Sequence, residues 1–295
     1  MEVYCPVWGL YSSFSMNSCQ TMKTYRYMQT TKMNRCIQTA PVLLILLLSF
    51  FAASCTSSRE SGDGADVRMA AESGTMQVMQ TLADADGLPL EVEFIRGRAH
   101  NHPLMAIWAE DMEGNYLQTL YVAQSIAEGV FRHGDPSTGR WMPGPVRRPA
   151  ALPYWGHQRG VKSEDGYYMP SQDDPLPDAL TGPTPKSHFL LKSRLDPGER
   201  LQFRVLFEIN QSWDWNRYWT NDRFPGDEHY MTSSQPALVY EAVVDLASGQ
   251  QDFRLSPIGH SHWSGESGEL FPDLSTLTTA LEIAASITLR IPGGN

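Results

Sequence analysis

From residue 88 onward the chain is written in short apolar or alternating runs, each closed by a turn signal. Residues 88–97 (LPLEVEFIRG) alternate with period two, 104–110 (LMAIWAE) are more apolar, and 115–123 (NYLQTLYVA) follow the turn at 111–114. Runs 188–195 and 200–210 flank a turn at 196–199. Run 237–246 leads through a turn at 247–250 into 251–258, which reads as its hairpin partner, and 286–291 form the last strand. Short helices are expected at 124–131 and at 273–285, the second capped by Asp273 with Leu274, Leu277, Leu281 and Ala284 on one face. Seven or eight short strands with few helices predict an all-β fold with minor helices. The expected form is an antiparallel, Ig-like β-sandwich with long proline- and aromatic-rich loops, spanning residues 86–295.

Ten prolines lie between residues 132 and 186. Proline at that density removes ladder donors, so this stretch is expected to lack regular sheet and to pack on the core through Trp141, Tyr154 and Trp155.

The N-terminal part reads as something other than fold. Residues 40–53 form one strongly apolar run, too short at about 1.5 Å per residue to span the hydrocarbon core. With Met33-Asn34-Arg35 as a basic leader, residues 33–55 read as a signal peptide, and residues 1–32 as an over-called start. Ala53 and Ser54 before Cys55 resemble the lipobox of bacterial lipoproteins, which makes Cys55 the expected site of lipidation. Residues 56–85 then serve as a polar tether, placing the protein outside the cytoplasm on a membrane anchor facing the periplasm or cell surface.

All four cysteines (Cys5, Cys19, Cys36 and Cys55) lie at or before that point, so the body has no thiol for catalysis, disulfide or zinc. Residues 1–55 hold four Lys/Arg and one acid, leaving 19 basic and 32 acidic residues and a net of −13. Such a body is no partner for nucleic acid, and is expected to keep clear of anionic lipid.

Chemistry-bearing patterns are few. Residues 182–187 have only a fragment of a phosphate loop, and Pro183 and Pro185 delete the N–H groups that would cradle phosphate. Two His-x-His pairs, His100/His102 and His260/His262, would each point to one face of a strand and are the candidate ligands for a transition metal. The run from Trp213 to His229 mixes aromatics with carboxylates, and Trp213, Trp215 and Trp219 are candidates for stacking on a sugar or other ligand.

Residues 88–291 resemble predicted periplasmic proteins carrying domain of unknown function 2271. The resemblance rests on the run from His102 to Asp111 (HPLMAIWAED), on Gly114, Thr119 and Leu120, on Trp141-Met142-Pro143, and on Asp178-Ala-Leu-Thr-Gly-Pro-Thr184. It implies an extracytoplasmic β-sandwich with no established catalytic activity, some members being associated with flavin-transfer systems. On that resemblance Thr184 is the position where FMN would be attached as a phosphoester. Pro183 stands where such loops carry a small residue, and Pro185 stiffens the other side. The expected function is therefore a non-enzymatic lipoprotein without cofactor that binds a small molecule or protein, accessory to extracytoplasmic redox systems. The alternatives are a flavin- or metal-carrying redox module and a carbohydrate-active or glycan-binding protein.

Overall fold

Leu90, Val92 and Phe94 point inward from a strand whose alternate positions are Pro89, Glu91 and Glu93, and this alternation sets the architecture. The computed structural model describes residues 75–293, which lie within the compact unit Arg68–Asn295. The strands are β1 (Gln77–Gln80), β2 (Leu88–Arg96), β3 (Leu104–Glu110) and β4 (Tyr116–Ala123), followed by the short helix α1 (Gln124–Glu128). Next come β5 (Val130–Asp135), β6 (Met142–Pro145), helix α2 (Pro153–Arg159) and the two-residue β7 (Thr181–Gly182). The chain continues through β8 (Phe189–Leu195), β9 (Gln202–Asn210), helix α3 (Glu228–Ser233) and β10 (Leu238–Asp245). It closes with β11 (Asp252–Arg254), β12 (Ser256–His260) and β13 (Ala284–Arg290).

The fold is all-β with minor helices. One sheet runs β1-β8-β2-β13-β11 and the other β12-β10-β9-β3-β4-β7, with most pairs antiparallel. The parallel pairs are β1 with β8 and β4 with β7. Between the sheets lies one apolar layer. Phe94 of β2 stacks on Phe189 of its own sheet at 4.9 Å and on Phe207 of the facing sheet at 5.8 Å. Each such ring, wholly removed from water, contributes about 1.5–3 kcal/mol.

β3 is buried along its whole length. Its odd positions (Met105, Ile107, Ala109) enter the core between the sheets, while Leu104, Ala106 and Trp108 enter a second cluster on the far face of the second sheet. That face is covered by Ile126 and Ala127 of α1, Phe131, and Tyr154 and Trp155 of α2. A third layer is thus laid over the sandwich.

Several sequence expectations need correction. The proline-rich stretch does form regular structure: the hairpin β5–β6, helix α2 and the edge piece β7. Its prolines sit where no N–H is needed, Pro143 and Pro145 on an outlying two-stranded sheet and Pro153 in the first turn of α2. The helix expected over 124–131 stops at Glu128, because Gly129 takes a left-handed φ of +64° and hands the chain to β5. Run 251–258 is not one strand. It breaks at Leu255, so β11 joins β13 in the first sheet while β12 pairs with β10 in the second. Nor is there an α-helix over 273–285. Asp273 Oδ1 accepts the Ser275 N–H at 2.9 Å without starting a helix, and a short 3-10 turn, Thr279–Glu282, follows. The threonines there are held instead by Asn216 and Gln235.

Candidate functional site

The aromatic insert is built around two amide side chains. Asn216 Oδ1 accepts the Tyr218 and Trp219 N–H groups at 2.8 and 2.7 Å, while its amide nitrogen donates to Thr276 O at 2.9 Å. Gln235, buried, accepts the Thr278 N–H at 2.7 Å and donates to Asp214 O at 2.9 Å. Asp214 accepts from the Thr279 hydroxyl, and burial raises its pKa above the usual carboxylate range. This network spends Asp214 and both amides on the insert's own shape. Asp227 does likewise, accepting the Tyr230 N–H at 2.9 Å as the cap of α3.

The three tryptophans are therefore separated in role. Trp219, only 3% exposed, lies in the core against Trp263 and Tyr230. Trp215 is half-buried against Tyr230, with ring centroids 5.7 Å apart. Trp213 is 59% exposed, and its φ of +57° holds it in a conformation that side chains with a Cβ rarely adopt. Of the three, Trp213 is the ring presented to solvent.

The histidine pairs are not brought together as one site. His102 has φ +52° and lies in the turn after β2, so strand geometry does not align it with His100. His100 packs on Phe94 at 5.8 Å, and burial lowers its pKa. His260 ends β12 and His262 lies beyond it; both join the aromatic cluster. His260 stacks on Phe271 at 5.3 Å with Nδ1 against Ser261 O at 2.8 Å, and His262 stacks on Trp263 at 4.1 Å. Burial lowers both pKa values. Among the described residues, no group of three or more His, Cys, Asp or Glu side chains is placed to hold a metal ion.

Thr184 sits in a pinned loop. β7 pairs in parallel with Val122 and Ala123 just before it, and the Tyr121 hydroxyl lies within 3.2 Å of Gly182 O and 3.1 Å of Pro183 O. Burial raises the pKa of that hydroxyl. Thr184 is half-buried and Pro185 buried. Cys55 lies outside the described residues.

The residues that stand out in the structure are others. Arg148 holds its guanidinium 4.4 Å from the Phe131 ring centroid and 5.4 Å from that of Trp213. One terminal nitrogen donates to Ser212 Oγ at 2.7 Å, while Nε is buried without a partner. Burial lowers its pKa, with no carboxylate to offset the loss. On the far face of the second sheet, Glu208 is fully buried and accepts the N–H groups of Tyr154 and Trp155 at 3.2 and 2.7 Å. Burial pushes its pKa up to about 8. Glu110 is equally buried; it accepts the Trp108 indole N–H at 2.7 Å and pairs with Arg204 at 3.3 Å. Burial raises its pKa against both of those contacts. A glutamate inside an apolar run (VLFEIN) signals Glu208, but no local pattern marks Arg148.

No family model, curated protein or solved structure matches the chain. Among the described residues, no helix is long and apolar enough to cross a membrane.

Proposed function

We propose that this protein is a non-enzymatic, lipid-anchored extracytoplasmic lipoprotein whose β-sandwich binds an anionic ligand at the corner formed by Arg148 and Trp213. The observation that carries the binding reading is Arg148, a half-buried cation with no carboxylate beside it. A charge in that setting gains from any anion that reaches it, and bidentate carboxylates or phosphates suit a guanidinium best. The exposed ring of Trp213 offers an apolar face alongside, as sugar acids require. The anchoring reading rests on the apolar run of residues 40–53 ending at Cys55.

The test uses the full chain in thermal melts with inorganic phosphate, citrate and glucuronate. At least one should raise the Tm, and Arg148→Met should abolish that gain. If no anion shifts the Tm, or Arg148→Met leaves the shift intact, the binding reading is wrong. Anchoring is tested separately, by acyl mass on Cys55 and by release of Cys55→Ala from the membrane fraction.

A further inference from the structure

The hairpin β5–β6 departs from the rest of the molecule in both charge and exposure. Residues 130–145 hold Arg132 and Arg140 against a single acid, Asp135, inside a body whose net charge is −13. On the hairpin, Arg132 and Arg140 are exposed and neither makes an ion pair among the described residues. Trp141 is 64% exposed and Met142 46%, side by side where the turn enters β6. The two strands form a sheet of their own, separate from the sandwich, so the tip is displayed without a neighbouring strand. Burial elsewhere has taken up most of the large aromatics of this stretch, among them Phe131, Tyr154 and Trp155.

We propose that this tip docks on an anionic bilayer surface, Trp141 and Met142 entering the headgroup–acyl boundary while Arg132 and Arg140 meet lipid phosphates. Tryptophan favours that boundary because one part of it is apolar and its N–H stays wet. Each arginine near such a surface adds about 1 kcal/mol. The acidic remainder of the body is repelled by the same surface, so approach is oriented, hairpin first. A patch of this strength binds weakly and reversibly on its own, and more tightly where a second attachment exists. The inference therefore goes beyond the anchoring reading and does not need it to be true.

The experiment reconstitutes the full chain in vesicles of brominated phosphatidylcholine, with or without about a third phosphatidylglycerol. Tryptophan quenching should rise with phosphatidylglycerol, and Trp141→Phe should remove that increase while leaving the Tm unchanged. Arg132→Gln with Arg140→Gln should weaken the quenching-competent state about 30-fold. Sedimentation with vesicles in about 0.5 M salt reads the anchor independently. A chain that sediments there but shows no Trp141-dependent quenching overturns the hairpin proposal and leaves the anchor standing. Quenching that depends on Trp141 in a chain that salt strips from the vesicles supports the hairpin and refutes the anchor. If Trp141 emission responds only when membrane proteins are added to the vesicles, the surface serves a protein partner and the proposal is wrong.

Discussion

The Glu208 carboxylate accepts the backbone N–H of Trp155 at 2.7 Å, so a buried acid on β9 holds the first turn of α2 onto the sheet. Burial pushes the pKa of Glu208 up to about 8, above its ordinary value of 4.5. The folded state therefore keeps a proton that the unfolded chain releases as pH rises through the interval between those values. Stability from this group is present in full below the lower value and is lost as pH climbs to about 8, across a span on the order of 5 kcal/mol. Glu110 and Asp214, also raised by burial, act in the same sense. Melts between pH 5 and pH 9 should show Tm falling with pH. Glu208→Gln should flatten the slope; a rising Tm, or an unchanged slope in the variant, would show that Glu208 stays ionised in the fold.

Gly156 gives a prediction whose sign is opposite to helix propensity. Alanine inside a helix ordinarily gains about 1 kcal/mol over glycine. Here a Cβ would stand 2.0 Å from the Tyr168 carbonyl oxygen, a backbone atom that cannot turn away. Gly156→Ala should lower the Tm by about 5 °C in thermal melts.

Gln235 ties the aromatic insert to the threonines that follow Ser275. Gln235→Leu leaves the Thr278 N–H and the Asp214 carbonyl without that partner and should cost about 3 kcal/mol in denaturant unfolding. A red shift in tryptophan emission should accompany the loss, as Trp215 and Trp219 gain water. An unshifted spectrum would mean that the rings alone hold the insert.

Thr184 is expected to refuse FMN. The Tyr121 hydroxyl and the β4–β7 pairing hold the backbone just before it, and Pro183 and Pro185 stiffen both sides. Co-expression with a flavin transferase should add no FMN mass, and Tyr121→Phe should speed amide exchange at Gly182. An added mass that disappears in Thr184→Ala would reverse this reading and make the protein a flavin carrier.

Legibility from sequence followed the range of the interactions. β3 was readable because LMAIWAE is apolar on both faces, the mark of a strand covered from two sides. The hairpin β5–β6 was hidden because proline is judged by the donors it removes, and an outlying two-stranded sheet needs few of them. His260 and His262 have a visible spacing, but the use made of it depends on Trp219 and Phe271, which come from other segments of the chain. Arg148 was illegible for the same reason: Phe131 and Trp213 reach it only after the third layer has closed.

The pairing of β2 with β13 bears on the order in which the chain can be made and folded. Glu91 of β2 stands opposite Arg290 of β13, so the first sheet cannot be completed until Arg290 has left the ribosome. Before then, β2 presents one open edge, and β8 becomes available only after about half of the described residues have emerged. A nascent chain of this topology keeps its first sheet open until β13 has emerged, and loop closure over such a separation is slow. That delay keeps the polypeptide threadable until β13 is in place.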